Sequence, residues 1–174
     1  MSTSMRFGLF AVVMMAGAAQ AAGQIDRLKA GDLQCYGPNT ARRTCAALSG
    51  YDFSRPVIMN RAEVLISTDP VGTMTTVSPV TIKGGAICGV PSKRDIDTAV
   101  ITSQGQVLTE AQAAGVKAQI WGLASARAGK ELCTTYAPSG DGYTTRYTLD
   151  GKPDITPSTT VILVGPKDGY RVAP

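Results

Sequence analysis

Apolar and polar residues follow three patterns along the chain. A continuous apolar run extends from Phe7 to Ala18. Between Ala62 and Ser103, short segments rich in Val, Ile and Thr suit a pleated surface, so we predict strands there. The last third contains strand patterns separated by turns of Gly, Pro, Ser and Asp. These predicted strands cover residues 131–137, 143–149 and 159–164.

A short helix is expected before the first group of strands. Residues 24–32 are polar, and we expect them to be loosely held. The short helix covers residues 41–48, with Asn39 or Thr40 as the N-cap and Gly50 after its end.

The main predicted helix runs from Thr109 to Gly129. Thr109 and Gln112 have the spacing of a capping box, in which each residue satisfies a backbone N–H of the other. Helical periodicity then places an apolar stripe on the face that we expect to cover a sheet. The stripe consists of Val116, Ile120 and Leu123.

Together these elements predict an α+β fold. We expect a single domain over residues 22–174, with a mostly antiparallel sheet packed by one main helix and stapled by two disulfides.

The N-terminal run is typical of a secretory signal peptide over residues 1–21. Arg6 precedes the apolar stretch, and Ala19-Gln20-Ala21 gives the small-x-small pattern that a signal peptidase recognises. The stretch is too short to span a bilayer, and no second run of spanning length follows. We therefore expect a mature chain that begins at Ala22, has no transmembrane segment, and is periplasmic or secreted.

Four cysteines remain in the mature chain, and export to an oxidising compartment favours disulfides. Three pairings are possible. We favour Cys35–Cys45, because the turn-rich segment that follows Cys35 folds the chain back, and this leaves Cys88–Cys133. A zinc site of four thiolates is the alternative, but the sequence contains no C-x-x-C pair.

Composition excludes several classes of function. The chain contains no histidine, so Ser-His and Cys-His catalytic pairs and histidine-ligated metals are ruled out. Loss of Arg6 with the signal peptide leaves 16 basic and 13 acidic residues, a net charge of +3 without a basic cluster. Nucleic-acid binding is therefore not expected. We also expect no metal or other cofactor.

One predicted strand, residues 143–149, carries the candidate binding surface. Its odd-numbered positions present Tyr143 and Tyr147 on one face, and its even-numbered positions present threonines and an arginine on the other. The tyrosine face is either ordinary core or part of a recognition patch. The candidate binding residues are Arg146, Thr144, Thr148 and Tyr136.

A pair of carboxylates offers a catalytic alternative. Asp95 and Asp97 are two residues apart, and two carboxylates about 5–9 Å apart can hydrolyse a glycosidic bond. A charged turn is the simpler interpretation.

These observations predict an exported bacterial envelope protein with a non-catalytic protein- or ligand-binding domain, such as an inhibitor, adaptor or assembly factor. The expected partner is another envelope protein or a cell-wall component. The alternatives are a carboxylate-dependent cell-wall glycoside hydrolase and a small-molecule carrier with a pocket between helix and sheet.

Overall fold

The structure, a computed structural model, describes residues 16–174, with side chains from residue 23 onward. The predicted signal peptide over residues 1–21 therefore lies largely outside the described residues. The helices are α1 (Ala16–Lys29), α2 (Lys93–Asp97) and α3 (Glu110–Ala124). The strands are β1 (Leu33–Tyr36), β2 (Thr44–Cys45), β3 (Ala47–Asp52), β4 (Ile58–Thr68), β5 (Val71–Lys83), β6 (Ala86–Gly89), β7 (Val100–Ser103), β8 (Gln106–Val107), β9 (Leu132–Ser139), β10 (Gly142–Leu149), β11 (Lys152–Pro153), β12 (Thr160–Val164) and β13 (Arg171–Val172).

Eight strands close into an antiparallel barrel. They follow the order β4-β3-β1-β12-β10-β9-β6-β5, and β5 pairs with β4 to complete the ring. The prediction of an α+β sheet packed by one main helix is therefore wrong. Strand patterns were visible in the sequence for much of this ring, but the pairing of β4 with β5 closes the sheet on itself, so its inner face lies inside the ring and is not covered by the main helix.

The long strand β5 pairs with two different strands along one edge. Its residues 80–83 pair with β6 inside the ring, whereas its residues 72–75 pair with β7. The β7–β8 hairpin therefore extends from the barrel wall without belonging to the ring.

A second, smaller layer covers the outside of the barrel near β1. Strands β2 and β13 pair in parallel, and the Cys35–Cys45 disulfide ties β2 to the barrel. The Cys88–Cys133 disulfide joins the neighbouring strands β6 and β9, where these two residues are register partners. Both predicted disulfides are confirmed, and such bonds persist in oxidising compartments.

The predicted helix over residues 41–48 is wrong, because the segment enters strands β2 and β3. Arg43 has a φ of 50°, which an α-helix does not tolerate, and residue 47 pairs with Tyr36 of β1. The disulfide and this pairing outweigh the local helical spacing.

Residues 24–29 of the segment expected to be loosely held instead belong to α1, which closes one end of the barrel. Leu28 is 1% exposed and packs with Ile25 against the barrel interior. The polar composition of the segment gave no indication of this contact, because only every third or fourth position of the helix faces inward.

The main helix is confirmed as α3, including the capping box of Thr109 and Gln112. Its inward face was predicted wrongly, because Leu123 is 82% exposed and α3 packs on α2. Lys117 occupies a buried position instead, where its ammonium group donates to the Asp97 carbonyl at 2.8 Å and to Glu110.

No helix among residues 16–174 has both the length and the apolar character required to cross a membrane.

Candidate ligand-binding cavity

The pairing register determines which side chains point into the barrel. Thr145 of β10 pairs with Tyr136 of β9, and Tyr143 pairs with Val161 of β12, so these residues share the inner face. Because register partners lie on the same face of a sheet, the alternation can be followed from strand to strand around the ring. Five of the six tyrosines face inward by this alternation, and they are Tyr36, Tyr51, Tyr136, Tyr143 and Tyr147.

A cavity of about 320 Å³ occupies the inside of the barrel at the end opposite α1. Its walls are inner-face residues of six barrel strands, and α2 and α3 form its mouth. The walls include Met74, Thr76, Val80, Ile87 and Thr134. Eight strands enclose a space that either fills with side chains or holds one small ligand. This volume is within the range of small-molecule sites.

The floor of the cavity is a cluster of three tyrosines around one glutamine, which we call the tyrosine cluster. Tyr51 donates its hydroxyl proton to Gln34 Oε1 at 2.6 Å, and Tyr36 donates to the same oxygen at 3.0 Å. The Tyr136 and Tyr36 hydroxyl oxygens are 2.7 Å apart. If Tyr36 donates to Gln34, Tyr136 donates to Tyr36, so each of the three hydroxyl protons has an acceptor.

The environment of the tyrosine cluster keeps these hydroxyls protonated. Burial, followed by the neighbouring Tyr136 and Tyr51, raises the pKa of Tyr36 well above its ordinary value of 10.0. Burial likewise raises the pKa of Tyr51 and of Tyr136. The cluster therefore offers a ligand neutral hydroxyl groups and aromatic rings rather than charge.

Two buried glutamine side chains have amide atoms without a hydrogen-bond partner among the described residues. Gln34 and Gln24 are both 0% exposed, yet Gln34 Nε2 and both amide atoms of Gln24 are unpaired. Exchanging the Gln34 oxygen and nitrogen leaves one end of its amide unpaired in either orientation. Each unpaired group costs roughly 1–3 kcal/mol of stability.

Helices α2 and α3 hold the mouth of the cavity in place. Ser92 caps α2 through a capping box with Asp95, whose carboxylate accepts from the Ser92 N–H at 3.1 Å. The hydrogen bond from Lys117 to the Asp97 carbonyl ties α3 to the end of α2. This brings Trp121 and Asp95 to the same opening.

The structure separates the four predicted binding residues. Tyr136 is 8% exposed and belongs to the tyrosine cluster inside the barrel. Thr144, Arg146 and Thr148 lie together on the opposite, outer face of β10, and Arg146 is exposed there. The barrel wall therefore divides Tyr136 from the other three.

The sequence patterns do not identify Gln34, Tyr36 and Tyr51 as site residues. They predict no strand over residues 33–36 and favour a helix over residues 47–48, where the structure has β1 and β3. The signal that was present is the two-residue spacing of Gln34 and Tyr36, which places both on one face of an extended segment.

The two candidate catalytic carboxylates lie in different places and have different partners. Asp95 lines the cavity and caps α2, whereas Asp97 forms an ion pair with Lys93 at 2.6 Å and lines a neighbouring groove. Among the described residues, Asp95 is the one carboxylate that lines the cavity, so a catalytic pair is not assembled there. Cys88, Glu131 and Cys133 also converge, but the disulfide occupies both thiols.

No family model, curated protein or solved structure matches the chain.

Proposed function

We propose that the protein is an exported, non-catalytic binding protein that holds a small amphipathic molecule inside its barrel. The observation that carries the proposal is the 320 Å³ cavity within a closed eight-stranded ring. Of the functions that the sequence suggests, a small-molecule carrier fits this geometry best. The ligand lies within the barrel rather than between a helix and a sheet.

The chemistry of the lining supports an amphipathic ligand. Aromatic and aliphatic side chains such as Ile87, Val80 and Trp121 supply apolar contact. Hydroxyl and amide groups, including Ser49, Thr134 and Asn60, interrupt these walls and provide a few directed hydrogen bonds. A ligand with a compact apolar body and one or two polar groups matches this arrangement.

A periplasmic or secreted location is part of the proposal. The N-terminal sequence has the pattern of a cleaved signal peptide, and both disulfides suit an oxidising compartment. Mass spectrometry of protein isolated from the periplasm is expected to give a chain that begins at Ala22.

The single tryptophan gives a direct test, because Trp121 lines the mouth of the cavity. We expect a neutral naphthylamine dye to bind with one-to-one stoichiometry, to gain fluorescence and to quench Trp121. Thr134→Phe places a ring in the cavity and should abolish binding.

Thr135→Phe is the matched control, since Thr135 is the next residue of β9 and is exposed on its outer face. It should bind the dye like the unmodified protein. Thr76→Phe, which blocks the cavity from β5, provides a second test if Thr134→Phe does not fold. Equal dye binding by the blocked and the control variants would refute the proposal.

A further inference from the structure

The lining of the cavity carries negative charge. Among the described residues, Asp95 is the only charged side chain that lines it, and no Lys or Arg does so. An anionic ligand would therefore enter a partly desolvated site that holds a carboxylate and no balancing cation. A cationic ligand would find the opposite situation.

Asp95 has no cationic partner within the described residues. Its Oδ2 accepts hydrogen bonds from the Ser92 N–H at 3.1 Å and from the Ser92 hydroxyl at 2.7 Å, and both donors are neutral. The ammonium groups of the two lysines nearby are paired elsewhere. Lys93 binds Asp97 at 2.6 Å, and Lys117 binds Glu110 at 2.9 Å.

An aromatic surface accompanies this carboxylate at the mouth. Trp121 of α3 lines the same opening and also the adjoining groove. Indole is the aromatic ring that binds cations most strongly through its face. The floor, by contrast, consists of tyrosines whose hydroxyls hydrogen-bond to Gln34 and to one another.

We propose that the cavity selects ligands that combine an apolar body with a single cationic group, such as an alkyl- or arylammonium ion. The body occupies the barrel interior, and the cation stays at the mouth with Asp95 and Trp121. This inference rests on the proposed function, and it specifies the chemical class of the ligand.

Three probes with one body and different charge test the inference. They are 1-adamantanemethylamine, 1-adamantanemethanol and 1-adamantanecarboxylate, each measured by displacement of the neutral dye from the purified protein at pH 7. Because Asp95 is only partly exposed, we expect the amine to bind about five- to tenfold more tightly than the alcohol. The carboxylate should bind more weakly than both.

Two variants assign the preference to one side chain. Asp95→Asn keeps an acceptor oxygen for the α2 cap, and it should lower amine affinity to that of the alcohol while alcohol affinity stays unchanged. Asp97→Asn removes a carboxylate of the same helix that lines the groove instead, and it should keep the preference for the amine over the alcohol that Asp95→Asn loses.

The outcomes separate this inference from the proposed function. Equal binding of amine and alcohol, or a preference that persists in Asp95→Asn, overturns the charge selection while dye binding still supports the cavity. Failure of the dye to bind, together with an unchanged Trp121 fluorescence on addition of each of the three probes, overturns both.

Discussion

The two ends of the barrel are closed by helices in different ways. At one end α1 inserts Ile25 and Leu28 among the inner-face side chains, and a packed core results. At the other end α2 and α3 lie across the opening, and a cavity remains beneath them. One alternating strand pattern therefore supports a packed core at one end and a pocket at the other, and the two ends differ in whether the covering helix inserts apolar side chains into the ring.

The largest expected effect separates the two ends by stability. Leu28 fills the packed end, whereas Leu132 lines the cavity, so the same truncation meets different surroundings. We expect Leu28→Ala to lower the free energy of unfolding by about 3 kcal/mol, and Leu132→Ala by about 1 kcal/mol. Urea denaturation measures both values. Equal losses would show that the ends are packed alike.

High pH should lower the stability of the fold by ionising the tyrosine cluster, which lies between the two ends of the barrel. The pKa values of Tyr36, Tyr51 and Tyr136 are raised by burial, so the folded chain retains protons that the unfolded chain releases above about pH 10. Stability is therefore fully present below pH 10 and falls above it, by at most about 1.4 kcal/mol per pH unit for each tyrosine.

Absorbance of tyrosinate at 295 nm tests this expectation. These three of the six tyrosines should ionise only as the chain unfolds, which circular dichroism follows independently. Ionisation of all six while the fold persists would contradict a closed floor.

Replacing the two buried glutamines should have effects of opposite sign. Gln34 accepts hydrogen bonds from the tyrosine cluster, so Gln34→Met should destabilise the fold by about 1–2 kcal/mol. The Gln24 amide, on α1, has no hydrogen-bond partner among the side chains that the structure describes, so Gln24→Met should stabilise by about 1 kcal/mol. Thermal unfolding measures both. A loss of stability in both variants would mean that Gln24 has a partner in solution.

The smallest expected effect on stability comes from the ion pair of Arg127 and Asp154. The Arg127 hydrogen bond, together with those from Thr156, lowers the pKa of Asp154 to about 2, and so links the segment after α3 to the loop before β12. A lowered pKa stabilises the fold above the unfolded value near 4, and this contribution is lost as pH falls toward 2. Asp154→Asn should therefore reduce the melting temperature slightly at pH 7. The difference from the unmodified protein should vanish near pH 2.

Local features of the fold could be predicted from the sequence. The capping box of Thr109 and Gln112, the β9–β10 hairpin and both disulfides depend on residues that are near in sequence or limited in number. The ring itself could not be predicted in this way. Its closure depends on β4 pairing with both β3 and β5, and β3 begins in a segment whose spacing favours a helix.

The candidate site could be predicted only in part. Tyr136 was identified, but the other members of the tyrosine cluster come from β1 and β3, far from β9 in the sequence. They are Gln34, Tyr36 and Tyr51. Their meeting is a consequence of the closed ring, which no local pattern encodes. The position of Trp121 at the mouth could not be predicted for the same reason, since it depends on how α3 packs on α2.

We expect a ligand to enter the barrel at the α2–α3 end and to leave the α1 end undisturbed. Methyl NMR during titration with 1-adamantanemethanol, with assigned Ile, Leu and Met methyl groups, tests it most directly. We expect saturable shifts at Met74 and Ile96, which line the cavity and lie outside the cluster that contains Leu28. The signals from Leu28 and from Leu123 on the outer face of α3 should stay unchanged. Shifts centred on Leu28 or Leu123, with unchanged signals from the cavity methyls, would contradict it.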